Sequence, residues 1–312
     1  MASSLVVARQ EIRAILKEKT FLLLLVIFIG MTLASTYIGW SSAHTIQSVY
    51  DSTVSLLVEQ GKAVPPPPFE GASHLSLLKN MVIYVVLIGA LLAITIGHLM
   101  GIRDRKAGVT RLIFSRNITK RQFLLGKVMA ILCVLGSMLA AALMVSTVSS
   151  ALLSGITFTD VMRIAGFYGF ALVYLAGFAF LGLSFALTRK TSTLALLVPL
   201  IIWLAITFVL PELTSALSPT ASLNPTLPQT DVLQSPVLSA IHTAVYPISI
   251  SEQFKVVTEN ILLVPFNPAI TRSFDYPFWL GYVIVPLWTI ACLAGSYITI
   301  GKFNQSQGEL NE

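Results

Sequence analysis

Charge is what this sequence has least of. Only 11% of its 312 residues are Asp, Glu, Lys or Arg, against 55% hydrophobic, and the mean hydropathy is +0.81. That balance excludes a soluble domain and places the chain among membrane proteins. Cysteine is nearly absent: Cys133 and Cys292 both fall inside apolar runs and form neither a disulfide framework nor a metal spacing. The four histidines, at 44, 74, 98 and 242, make no metal-holding pattern, so no cofactor is expected on this chain. A phosphate loop of the Gly-x-x-x-x-Gly-Lys-Ser/Thr type is missing too. Gly301-Lys302 is followed by Phe303, and the nearest upstream glycine, Gly295, is one residue too far. If ATP is used, it binds on a different polypeptide. The span interiors show no Asp, Glu, Lys or Arg to relay a proton or ion, and no paired carboxylates or Ser and His set for an intramembrane enzyme.

Long apolar runs are what the chain does have. Six lie at about residues 20–40, 80–100, 123–153, 164–187, 193–210 and 278–300, each near or above the roughly 20 residues a bilayer requires. The fold class this predicts is an all-α membrane protein with six transmembrane helices and a single domain over 1–312. Ahead of the first span, residues 1–19 repeat Leu5, Ala8, Ile12, Ile15 and Leu16 at helical spacing, with Gln10, Arg13, Lys17 and Glu18 opposite, which predicts an amphipathic helix lying in the interface. The alternative is the charged head of a secretory signal. Against it, the run from Phe21 to Trp40 is as long as a full span and has no convincing Ala-x-Ala cleavage site. Gly97 and Gly101, four residues apart in the second span, permit a close helix approach.

Six spans put both termini on one side, and the basic residues say which. Fifteen of the 20 Lys and Arg residues fall on the side of the termini, eight of them between Gly101 and Lys127. The positive-inside rule therefore predicts cytoplasmic termini in a cytoplasmic or inner membrane. Because the cations cluster beside spans, topology explains the net charge of +6 better than nucleic acid does. On the outer side, 41–79 contains Pro65-Pro66-Pro67-Pro68 and reads as a solvated loop. Segment 211–277 is longer and apolar, with one short helix expected from Ser235-Pro236 to Tyr246 and another from Ser251-Glu252-Gln253 to Leu263. Those helices either cap the bundle or meet an extracytoplasmic partner.

The loop 101–122 carries the densest signal. Val109, Leu112, Ile113 and Phe114 form a short apolar run with Arg111 inside it, Ser115, Arg116 and Asn117 favour a bend, and Thr119 with Gln122 has capping-box spacing. An apolar helix outside the membrane needs a protein surface to cover, unless it packs back on its own bundle or lies on anionic headgroups. Its order of Gly108, Thr110, Leu112, Ser115, Arg121 and Leu125-Gly126-Lys127 resembles the first cytoplasmic loop of type 2 ATP-binding cassette exporter permeases. The acid that commonly precedes that Gly is represented only by Asp104, and no Pro precedes Thr119.

The resemblance implies a transport subunit without catalytic residues, working with a separate ATPase that binds ATP and Mg and with a second copy of itself or a homologous permease. It implies that Arg103, Asp104, Arg105, Val109, Arg111, Leu112, Ile113, Phe114 and Arg116 couple to the ATPase, and that a connecting helix bearing Arg9, Arg13 and Lys17 helps seat it. Phe167, Tyr168, Phe170 and Tyr174 in the fourth span are either packing or an apolar path for a lipid-like, amphipathic or peptide-like cargo. The alternative to export is mechanotransmission, in which ATP-driven motion reaches an extracytoplasmic partner and no cargo crosses.

Overall fold

The computed structural model describes residues 2–65, 74–105, 119–188, 191–210, 244–264, 277 and 279–309. Among the described residues there is no strand, and six helices are long and apolar enough to cross a membrane. A bilayer satisfies no backbone N–H or C=O, so a chain that is not a closed barrel must cross it as helix. Helix α1 covers Ala2–Ile15. The six spans are α2 (Lys19–Glu59), α3 (Lys79–Asp104), α4 (Lys120–Ser154), α5 (Phe158–Thr188), α6 (Ser192–Val209) and α8, whose span is Trp279–Ile300 of a helix reaching Glu309. Between the last two lies the short amphipathic helix α7 (Ile250–Leu262). The connecting loop 106–118 and the segments 211–243 and 265–276 lie outside the described residues, and with them most of the helix expected from Ser235-Pro236 to Tyr246.

Span α5 is the axis of the bundle, with 78% of its apolar window buried, and it packs against α3, α4, α6, α7 and α8. Lipid tails are as apolar as leucine, so burial alone does not drive spans together. Close backbone approach at small residues and hydrogen bonds between helices do. Both are present. A Cβ added at Gly97 would stand 1.9 Å from the Ala179 carbonyl oxygen, one at Gly101 2.4 Å from Ala186, and one at Gly182 2.4 Å from the Ile94 carbonyl oxygen. The close approach expected at Gly97 and Gly101 is thus made, and α5 is the partner. Hydroxyls add to it: Ser146 and Tyr168 join α4 to α5 at 2.6 Å, and Ser184 and Ser296 join α5 to α8 at 2.8 Å.

One boundary departs from expectation. Residues from Ser41 on read as loop, yet α2 runs unbroken for 41 residues to Glu59. At about 1.5 Å per residue that is roughly 60 Å, twice the hydrocarbon thickness. Hydropathy falls after Trp40, but hydropathy does not end a helix. No Gly or Pro occurs between Ser41 and Glu59, and the helix stops only where Gly61 takes a φ of 65°. Gly39 lies against the backbone of Leu77, which marks the rim of the bundle, so the rest of α2 projects past it.

At that same end each of two spans contains a π turn, Val85–Gly89 in α3 and Ala205–Val209 in α6. A π turn breaks the regular ladder and frees carbonyls. Here the Trp203 indole donates to the Val86 carbonyl at 3.3 Å, and the Ser251 hydroxyl of α7 donates to the Ile206 carbonyl at 2.8 Å.

The α3–α5 contact yields a test with an internal control. Gly97→Val should destabilise the purified protein by about 1–3 kcal/mol or more, because backbone and not a flexible side chain stands in the way. Gly136→Val, where nothing lies within 4 Å, should stay within about 0.5 kcal/mol of the parent. Thermal unfolding in detergent reads both, and equal effects would mean that the crossing is not as tight as described.

Candidate coupling site

Span α3 ends and α4 begins at the end of the bundle where α1 lies, so both ends of the 106–118 loop emerge there. The start of α4 is set by a capping box: the Gln122 N–H donates to Thr119 Oγ1 at 3.3 Å and the Thr119 N–H donates to Gln122 Oε1 at 3.1 Å. Two turns on, Gly126 faces α1. A Cβ there would stand 2.7 Å from the Val7 Cβ and 2.8 Å from the Ser4 carbonyl oxygen, so the absence of a side chain lets α1 lie flush on α4.

Lys127 follows, with its side chain wholly buried. An ammonium has three protons to place and no acceptor of its own. Lys127 Nζ donates to Glu11 Oε1 of α1 at 2.9 Å and to the Met100 carbonyl of α3 at 3.1 Å, and it forms an ion pair with Asp104 Oδ2 of α3 at 2.6 Å. The Phe123 ring lies beneath the ammonium, 5.0 Å from centroid to Nζ. Arg103, on α3, extends the cluster by donating to Glu11 Oε2 at 3.1 Å and to Glu18 Oε1 at 3.5 Å. Burying a charge unpaired is prohibitive, and a buried pair holds only when its remaining valences are filled. Here two carboxylates, Glu11 and Asp104, stand against the one ammonium. The cluster therefore ties three elements at one point: the N-terminal helix, the end of the second span and the start of the third.

Of the residues expected to couple, Arg103 and Asp104 are members of this cluster. Arg105 ends the described part of α3, and Val109, Arg111, Leu112, Ile113, Phe114 and Arg116 lie outside the described residues. Arg9, Arg13 and Lys17 are exposed on the outward side of α1. The inward side is not the one expected in full: Ser4, Ala8, Glu11 and Ile15 are buried, while Leu5 and Leu16 are exposed. Sequence reasoning passed over Glu11, placed Glu18 on the polar face of the helix, and named Gly126 and Lys127 only as part of the resembled motif. Glu11 could have been found, because it falls in the 4–8–11–15 stripe, where a carboxylate among small and apolar residues requires a buried cation.

The aromatic stripe of α5 is placed at the opposite end. Phe167, Tyr168 and Tyr174 are buried, and Phe254 of α7 packs among them, 4.4 Å from Tyr174, 5.7 Å from Phe170 and 6.4 Å from Phe167 between ring centroids. Helix α7 is seated further by Arg163, which donates to the Ile261 carbonyl at 3.3 Å near the negative end of α7's dipole. Gly281 of α8 adds to this, because a side chain there would meet the Gln253 carbonyl oxygen at 2.7 Å.

The family profile described as ABC-2 family transporter protein matches residues 5–305, which is nearly the whole chain. The chain belongs to the ABC-2 family. It is a multi-pass membrane permease subunit of an ABC transporter, of a family that works with an ABC ATPase and often with a second permease copy. A comparison with curated proteins returns no match. In this permease the Leu125-Gly126-Lys127 run has a mechanical reading: the glycine admits α1 and the lysine fastens it.

Removing the cation should cost more than removing the whole set. Lys127→Ala leaves Glu11 and Asp104 buried without their ammonium and should destabilise the permease by about 3–5 kcal/mol. Lys127→Met combined with Glu11→Leu and Asp104→Leu should recover much of that loss. Chemical unfolding of the purified variants measures both, and a Lys127→Ala protein as stable as the parent would show that the cluster does not hold α1.

Proposed function

We propose that this permease exports an apolar, amphipathic or peptide-like cargo, driven by ATP hydrolysis on a separate subunit, with both termini and the 106–118 loop in the cytoplasm. The observation that carries the reading is the Lys127 cluster. It joins α1 to both spans that flank the loop, so a push delivered by an ATPase to the loop or to α1 moves all three together. The basic bias of the α1 end, 15 of the 20 Lys and Arg residues, supports the orientation.

In this reading Val109, Leu112, Ile113 and Phe114 dock in a groove of the ATPase while Arg111 and Arg116 meet acids at its rim. Closure of two ATPases on nucleotide shifts two permease copies between inward and outward access. At the far end, the stripe of Phe167, Tyr168, Phe170 and Tyr174 opens as a path only when Phe254 leaves it, so α7 has to move with each cycle. The second reading, mechanotransmission, is favoured by α2. Its projection past the bundle rim offers a lever that reaches an extracytoplasmic partner without cargo passing. Movement of a labelled substrate into vesicles by the purified complex separates the two.

Interface energy concentrates in a few buried apolar or aromatic residues, and rim charges contribute little each. Phe114→Asp should therefore weaken capture of the ATPase by on the order of 10²-fold, and Arg116→Ala by much less. Pull-down from co-expressing cells reads the capture, and thermal unfolding of the permease alone checks that its fold survives. Normal capture by Phe114→Asp removes the loop from the coupling path.

A further inference from the structure

Helix α1 has three sectors around its axis. The first, with Ala8, Glu11 and Ile15, is buried on the bundle. The second is apolar yet uncovered: Leu5 is 56% exposed and Leu16 is 47% exposed. The third carries Arg9 and Arg13, one turn apart, and is continued by Lys17 in the turn that follows the helix, all three exposed. Among the described residues no acid pairs with these three cations. The two carboxylates of this region, Glu11 and Glu18, turn the other way and are engaged by Lys127 and Arg103.

Depth decides what meets the second and third sectors. Helix α1 lies level with Gly126 and Lys127 of α4 and with Met100 to Asp104 of α3, where the apolar part of each span gives way to charge. That is the height of the headgroups. The Leu5 and Leu16 sector leads onto α2, whose Leu22, Leu23 and Val26 are likewise uncovered because they face lipid tails. One medium covers both surfaces. A helix with tails along one flank and a row of cations on the next has the layout of a helix bound to an anionic leaflet, with long basic side chains reaching up to phosphate.

We infer that Arg9, Arg13 and Lys17 form a binding face for the headgroups of anionic phospholipids in the leaflet that holds α1. The occupant is lipid and not an acidic surface of the ATPase, because the uncovered apolar flank beside the row is continuous with the lipid-facing surface of the first span. Each charge near an anionic surface gives roughly a fivefold preference, so the row gives on the order of 10²-fold. The lipid also holds α1 against the bundle from outside, as Lys127 does from within.

The test uses the full permease without ATPase, so it does not depend on the transport reading. The parent and the Arg9→Gln/Arg13→Gln/Lys17→Gln variant are placed in mixed phosphatidylcholine and phosphatidylglycerol nanodiscs, with spin-labelled phosphatidylglycerol as the probe. The parent should immobilise phosphatidylglycerol in preference to phosphatidylcholine, and the preference should fall with salt. The variant should lose most of it at unchanged thermal stability. A Lys62→Gln/Lys255→Gln control, at the other end of the bundle, should keep it. Unchanged lipid preference in the triple variant overturns the inference. So does a triple variant that keeps its lipid preference but fails to capture co-expressed ATPase, which would give the face to the ATPase instead.

Discussion

One buried ammonium sets the geometry of the α1 end of this permease. Lys127 has no exposed side-chain surface, and its ammonium meets groups on two other elements, a carboxylate of α1 and a carboxylate and a carbonyl of α3. Desolvating such a group is so unfavourable that no partial version of the arrangement is stable. Either all the acceptors are in place or the lysine has to reach water. Shift α1 by one turn and Glu11 leaves; unwind the last turn of α3 and Asp104 and Met100 leave. The position of α1, the length of α3 and the start of α4 are therefore one decision. Arg103 reinforces it from a more exposed position, where each contact is worth less.

The two ends of the bundle are fastened by different physics. At the α1 end the fastening is ionic, buried and all-or-none. At the far end α7 is held by ring packing around Phe254 and by single hydrogen bonds, such as Ser251 to Ile206 and Arg163 to Ile261. Ring contacts degrade gradually as they slide, and the carbonyls of a π turn can exchange one donor for another. The same displacement that leaves the Lys127 cluster intact can therefore rearrange the α7 end. Between them runs the α3–α5 contact, where Gly97, Gly101 and Gly182 put backbone against backbone and leave little room for relative movement without separation. In the proposed coupling, a load applied near Lys127 would travel along that contact as a rigid-body shift and be released where the packing is softest.

Most of the architecture could be read in the residues because lipid simplifies the code. Six apolar runs became six helices, Thr119 and Gln122 formed the capping box, and the segment opening at Ser251 folded as α7. What was not legible has identifiable causes. The end of α2 was misplaced because hydropathy reports where lipid ends, whereas Gly61 reports where the helix ends. Glu11 was passed over, and Lys127 was read only as a motif position and a topology signal, because only the spatial meeting of two span edges with α1 makes it a core residue. Phe254 lies more than 70 residues from the α5 aromatics it joins, and no local periodicity connects them. The apolar run from Val109 to Phe114 lies outside the described residues, so its role rests on its sequence.

The basic residues near α1 do two jobs that charge counting alone merges. Lys127 and Arg103 are spent on carboxylates inside the fold, so their contribution to orientation during insertion is compromised by the acids they pair with. Setting both aside still leaves 13 basic residues at the α1 end against 5 at the other. Arg9, Arg13 and Lys17 are the reverse case: with no acid paired to them among the described residues, they face whatever surrounds the helix. The orientation argument thus rests on cations that the fold does not use, and the fold rests on cations that the orientation argument can do without. That separation lets one end of the bundle be strongly basic overall and still contain a closed, ion-paired core.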